Sequence, residues 1–312
     1  MPDTGANMSE ITILDGGMGQ ELVRRSGRVP SGLWSCELMM ERPDLVRAVH
    51  DDFLAAGADI VSVNSYTLHR DRLNPAGLGD EFEAVHKLAC DLACEARDAF
   101  GAGTVAGCIG PLGWSYSHDG APPEDESVAL YREICDLQRD RVDMFLIETM
   151  ASISQARASL TAALPFGKPV WIGLTVDDFN GTHLRSGEPL SEALQEIETL
   201  APDAVLLNCS TPEAIGDGLA VMRTSHLRTG AYANGFTAIR PEFMEKGSSV
   251  SKLSARTDFS PDAYANHAAR WVGYGATILG GCCEVGPSHI EELAKRFGAR
   301  PARLPGTSLS AH

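Results

Sequence analysis

Three cysteines sit in small-residue, polar turns: Cys209 in Asn208-Cys209-Ser210, and Cys282 with Cys283 behind Gly280-Gly281. Three thiolates with a fourth position open form the donor set of a zinc ion that accepts an incoming ligand. Side chains alternate faces along an ideal strand, so adjacent cysteines do not ordinarily point the same way. Gly280-Gly281 relaxes that restriction if the glycines take backbone angles closed to other residues. The same positions also suit cysteines that simply pack in strands, and spacing alone leaves both readings open. Cys36, Cys90, Cys94, Cys108 and Cys135 read as packing residues. Cys90 and Cys94 are one helical turn apart, but they lie among Leu88, Ala89, Leu92 and Ala93 on an apolar face.

Two acids, Asp15 ahead of Gly16-Gly17 and Glu148 ahead of Thr149, directly follow apolar runs. An ionised carboxylate in such a place is costly unless a cation meets it. Glu148 reads as a holder of a substrate ammonium group or the partner of a local Arg. For Asp15 those roles compete with capping the Gly-Gly turn. None of the nine histidines stands beside an expected strand end in a paired metal spacing, which argues against a zinc hydrolase or lyase built on His and carboxylate ligands.

Something must bring these distant residues together. Short apolar runs at Ile11 to Leu14, Asp59 to Val63, Thr104 to Ile109, Asp143 to Ile147, Pro169 to Thr175, Asp203 to Leu207, Gly230 to Ala233 and Ala276 to Leu279 read as strands buried on both faces. Helical patterns alternate with them. Pro43 opens one through Val46, Val49 and Phe53, while Thr211-Pro212-Glu213 and Ser260-Pro261-Asp262 combine a hydroxyl N-cap, Pro in the first turn and an acid facing the helix dipole. Strand then helix, eight times, predicts an α/β chain folded as a single (β/α)8 TIM barrel, with the active site at the C-terminal ends of the strands. A doubly wound open sheet is the alternative. The expected organisation is a flexible N-terminus over 1–10, a barrel domain over 11–300 and a flexible tail over 301–312. The Ser-rich stretch from Ala238 to Phe259 reads as a functional or mobile loop after the seventh strand.

Composition narrows the partners. With 312 residues, 44% hydrophobic and 22% charged, the chain falls outside collagen-like, coiled-coil and disordered classes. Its 42 acidic and 26 basic residues leave a formal charge of −16, which repels phosphate backbones and anionic lipid. Small-molecule substrates are therefore expected, without nucleic acid or membrane. No apolar run is long enough to span a bilayer, and MPDTGANMSE lacks the basic and apolar regions of a secretory signal, so a cytoplasmic, reducing location is expected.

Taken together the motifs resemble the homocysteine S-methyltransferase family over most of the chain. The carriers are Leu14-Asp15-Gly16-Gly17-Met18-Gly19, Leu33-Trp34-Ser35 followed by Pro43, Gly57-Ala58-Asp59 leading to Asn64-Ser65-Tyr66, Glu148-Thr149, Asn208-Cys209 and Gly280-Gly281-Cys282-Cys283. The resemblance implies zinc held by Cys209, Cys282 and Cys283. It implies that Glu148, assisted by Asp15, holds the amino group of homocysteine, and that the amides near Gly16 and Gly17 lie near its amino-acid head group.

On that reading no side chain need act as general acid or base: the thiolate is the nucleophile, and metal binding supplies the ionisation that a free thiol lacks at neutral pH. The family's folate- and cobalamin-dependent members carry further domains, so a single barrel points to a small donor that is already a cation. S-methylmethionine is favoured. Betaine and dimethylsulfoniopropionate are the alternatives, and S-adenosylmethionine is also open. Betaine-specific members tend to place an aromatic residue after the family Glu, where this chain has Thr149. Trp34 and Tyr66 are candidate walls for a cationic donor, at about 0.5–2 kcal/mol per cation–π contact. A non-catalytic zinc- or thiol-binding barrel would keep the same cysteines and need no donor site.

Overall fold

A computed structural model describes residues 11–27, 33–239 and 253–298. The expected flexible ends, 1–10 and 301–312, lie outside the described residues, as does 240–252 of the expected loop. In chain order the elements are β1 (Thr12–Ile13), α1 (Met18–Ser26), α2 (Trp34–Glu41), α3 (Pro43–Ala55), β2 (Ile60–Ser62), α4 (Arg70–Leu73), α5 (Phe82–Phe100), β3 (Thr104–Ile109), α6 (Glu124–Gln138), β4 (Met144–Met150), α7 (Ile153–Ala163), β5 (Val170–Leu174), α8 (Leu190–Leu200), β6 (Ala204–Asn208), α9 (Pro212–Met222), β7 (Arg228–Tyr232), α10 (Pro261–Gly273), β8 (Ile278–Leu279) and α11 (Pro287–Phe297).

All neighbouring strands are parallel, in the order β1-β8-β7-β6-β5-β4-β3-β2. The ring closes through a parallel bridge between Leu14 and Ile60, with Asp59 N donating to Ile13 O at 2.7 Å and Asp15 N to Ile60 O at 3.0 Å. The eight expected strands are all present in a (β/α)8 barrel. The expected caps form as well: Thr211 and Ser260 accept from the amides of Ala214 and Ala263, each ahead of a first-turn Pro. No helix among the described residues is long and apolar enough to cross a membrane.

Alternation along the strands builds two apolar layers. Leu14, Ile60, Ala106, Met144, Leu146 and Leu206 fill the barrel interior. Their neighbours, such as Val105, Phe145, Ile147, Val205 and Leu207, face the surrounding helices. Continuing the inward register upward by two residues reaches Cys108, Glu148 and Asn208. The interior thus changes from hydrocarbon to polar atoms at the C-terminal rim.

Candidate active site and metal centre

The three cysteines converge there. Cys209 Sγ lies 2.7 Å from Cys282 Sγ and 3.9 Å from Cys283 Sγ, and all three sulfurs fall within 4.8 Å of one another. Sulfurs about 2.3 Å from a tetrahedral zinc stand about 3.8 Å apart, so the soft donor set fits such an ion once Cys282 and Cys209 part slightly. Backbone bonds fix the cluster: Cys209 N donates to Tyr232 O, Cys282 N to Ala233 O and Gly235 N to Cys283 O. Burial pushes the Cys209 thiol up, but hydrogen bonds from Cys282, Cys283 and Tyr116 outweigh it and hold Cys209 well below an ordinary thiol.

The glycines before Cys282 act differently from the sequence expectation. Neither occupies the left-handed region; a Cβ on Gly281 would collide with the Val285 side chain, and one on Gly280 with Leu14. Close packing at the β1–β8 seam excludes a side chain there. The left-handed angles fall instead on Cys209 (φ 50°) and Glu284 (φ 66°).

Asp15 and Glu148 line the same cavity, of about 200 Å³. Asp15 is buried and accepts from Ser62 N at 2.7 Å and Ser62 Oγ at 3.0 Å, so it reaches across the barrel closure to β2 rather than capping its own turn. Glu148 accepts from the Cys108 thiol at 2.7 Å. Cys108, read from sequence as packing, is thus a partner of the site. Burial pushes Asp15 up to about 8 against the Ser62 bonds, and Glu148 up to about 7 against bonds from Cys108 and Tyr232. Among the described residues neither acid forms an ion pair, so the local-Arg alternative does not hold for them. Glu148 is also among the causes that raise Asp15, as expected of two carboxyls that share a buried site with no cation between them among the described residues.

Gly16 and Gly17 press against the turn that carries the cysteines: a Cβ would come within 2.3 Å of Val285 O at Gly16 and 2.5 Å of Cys282 O at Gly17. The Gly17 amide already donates to Val285 O. Gly16 and Gly17 line the cavity together with Gly19 and Gln20 of the opening turn of α1, whose dipole favours negative charge.

Thr149 also takes a left-handed conformation, φ 63°, where β4 slips register between Ile147 and Met150. The Asn208 carboxamide grips it at both ends. Gly173 leaves the space, since a Cβ there would stand 2.8 Å from Asn208 Oδ1 and 2.7 Å from the Tyr232 hydroxyl.

Of the two aromatic candidates, Tyr66 lines the cavity and donates to Ser115 Oγ at 3.0 Å. Trp34 begins α2, and its side chain lies outside the described residues. Sequence reasoning missed Trp114 and Tyr116, supplied by the loop after β3. The Tyr116 hydroxyl is 2.9 Å from Cys209 Sγ. The guanidinium of Arg185, in a buried ion pair with Asp178, stands 5.0 Å from the Tyr116 ring centre. Strand alternation was the available signal for Cys108 and Asn208. The loop residues offered no periodicity to read.

Comparisons with known proteins cover almost the whole barrel. The family model described as homocysteine S-methyltransferase matches residues 12–297. Homocysteine S-methyltransferase YbgG of Bacillus subtilis (strain 168) is 26% identical, the match covering 91% of this chain and 93% of that protein. Selenocysteine Se-methyltransferase of Brassica oleracea var. italica is also 26% identical, covering 96% and 92% respectively. The crystal structure of the metallated form of the homocysteine methyltransferase MmuM from Escherichia coli shares the fold, with a TM-score of 0.78 at 24% identity, covering 92% of this chain and 96% of that one.

Proposed function

The chain belongs to the homocysteine S-methyltransferase family, a methyltransferase class, and from that premise we propose that it transfers a methyl group from a small sulfonium donor, S-methylmethionine in first place, to the thiol of L-homocysteine, giving methionine. The observation that carries this reading is the meeting, in one cavity, of three free thiols with two acids that have no cation partner among the described residues. Cys209, Cys282 and Cys283 would hold zinc, which would supply the positive charge that keeps a substrate sulfur ionised at neutral pH.

The remaining work falls to the chain's own groups. Glu148 and Asp15 hold the homocysteine ammonium, and the opening turn of α1 faces its carboxylate. The substrate thiol gives up its proton to solvent on binding. Its sulfur then attacks the donor methyl in line: the new S–C bond forms as the donor's S–CH3 bond breaks, and the electron pair leaves with the donor sulfur as a neutral thioether. No general acid is required.

Thr149 supports a sulfonium over betaine. The position after Glu148 is committed to the Asn208 clasp and adds no ring to a cage for a quaternary ammonium, which depends heavily on aromatic enclosure. A cytoplasmic setting is part of the proposal, supported by eight free cysteines.

A donor panel on zinc-replete protein with homocysteine, read as methionine by mass spectrometry, tests it. S-methylmethionine should exceed betaine in kcat/KM; an equal or higher betaine value overturns the donor assignment. No methionine from any donor leaves the non-catalytic zinc- or thiol-binding barrel.

A further inference from the structure

The cavity holds a positive charge for which the methyl transfer above has no use. Arg72 lines it beside Tyr66 and Trp114. The guanidinium carbon stands 5.4 Å from the centre of the Trp114 ring and 6.0 Å from that of Tyr66. Nη2 donates to Pro111 O at 3.0 Å, taking one of five guanidinium N–H groups, and Nε is buried with no partner. The adjacent acid, Asp71, is turned to the Gly113 amide at 2.8 Å. Among the described residues Arg72 forms no ion pair.

This arrangement creates two problems. A half-buried guanidinium whose Nε–H is closed off from water and unpaired is costly. A fixed cation beside the aromatic wall also repels a bare methyl cation at the place where one must bind. Both are resolved by a donor that carries an anion along with its reactive cation. A carboxylate accepts the unused N–H groups and neutralises the charge, while the rings remain available to the sulfonium. The cavity then has two complementary poles, the acids Asp15 and Glu148 for the acceptor's ammonium and Arg72 for an acid group on the donor.

We propose that Arg72 reads the carboxylate of a zwitterionic methyl donor, so that the enzyme accepts sulfonium or ammonium acids and discriminates against methyl cations that lack the acid group. This rests on the methyl-transfer reading above.

The test compares dimethylsulfoniopropionate with trimethylsulfonium, on the wild-type chain, Arg72→Gln and Arg72→Lys. Wild type should bind dimethylsulfoniopropionate about 10- to 100-fold more tightly than trimethylsulfonium in calorimetry, the range for a hydrogen bond to a charged group. Arg72→Gln should abolish that preference. It should raise KM for carboxylate-bearing donors by a similar factor, leave the homocysteine KM and trimethylsulfonium turnover unchanged, and be partly rescued by Arg72→Lys. Equal losses for both donors, a shifted homocysteine KM or no binding preference in wild type would overturn the proposal and leave Arg72 as an anchor for the Pro111 loop. If wild type makes no methionine at all, the functional reading fails by itself, and the binding comparison still decides the role of Arg72.

Discussion

Asn208 holds Thr149 from both sides, its Oδ1 accepting the Thr149 amide and its Nδ2 donating to Thr149 Oγ1, each at 2.9 Å. A threonine in the left-handed region is strained by about 1–3 kcal/mol, and this clasp is what opposes the strain. Because Glu148 is the preceding residue, the clasp also sets where its carboxyl points. Asn208→Ala should lower stability by about 2–4 kcal/mol, two buried hydrogen bonds being lost with donors and acceptors left unmet. It should also raise the homocysteine KM. Thr149→Gly should lose less, since glycine relieves the strain while giving up the Oγ1 bond. Denaturant melts and steady-state kinetics on both variants check this, and a greater loss in Thr149→Gly would contradict it.

Removing any one sulfur should empty the metal centre. Cys209→Ala, Cys282→Ala and Cys283→Ala are each expected to lose most of about one zinc per chain while remaining folded, because an incomplete soft site binds weakly and rim residues serve chemistry more than stability. Cys90→Ala and Cys135→Ala, on the buried faces of α5 and α6, should leave the zinc content unchanged. Metal analysis by mass spectrometry on dialysed protein reads the outcome; wild-type zinc in a rim variant removes that cysteine from the site.

Glu148→Gln keeps shape and removes charge. The homocysteine KM should rise by the equivalent of about 1.5–3 kcal/mol, with zinc content unchanged. Thiol acceptors without an amino group supply the control and should be nearly indifferent to the substitution. If both acceptor classes lose equally, Glu148 does not read the ammonium.

The raised carboxyls give a pH signature of defined sign. Folding raises Asp15 from 3.8 to about 8 and Glu148 from 4.5 to about 7. Between those limits the folded chain holds protons that the unfolded chain has released, so the contribution of these groups to stability is full below about pH 4 and is lost as pH rises through 7 to 8. Melting temperature of the ligand-free protein should therefore carry a declining component from pH 5 to 8.5 that Asp15→Asn with Glu148→Gln removes. Homocysteine binding should show the reverse preference. An ammonium favours the ionised acids, so binding near pH 6.5 should release protons, visible as a dependence of calorimetric heat on buffer ionisation enthalpy; proton uptake would contradict the assignment.

The barrel was legible because parallel strands buried on both faces are written as continuous apolar runs, and all eight appear within a few residues of the expected bounds. The cysteine cluster was legible because strand ends share one rim. Gly280-Gly281 was correctly singled out for the wrong reason: sequence shows that a Cβ is missing but not whether backbone angle or a neighbour such as Val285 excludes it. Tyr116 stayed hidden because its position depends on how the loop after β3 folds over the rim, and Arg72 because the four-residue α4 is too short to carry a readable period. Asp15 was ambiguous in sequence because its partner, Ser62, belongs to a different strand.

The seam between β1 and β8 has a consequence for biosynthesis. A nascent chain that has emerged only through β7 carries Cys209 but neither of the other two sulfurs, and Asp15 still lacks the Gly281 amide that donates to its carbonyl. Both edges of the unfinished sheet are exposed at that stage. Zinc held by all three sulfurs would therefore be captured only once the final strand is in place, and the same βα unit that abolishes the last aggregation-prone edge delivers two of the three sulfurs. A ribosome-stalled chain halted before Ile278 should accordingly take up no zinc with the affinity of the released protein.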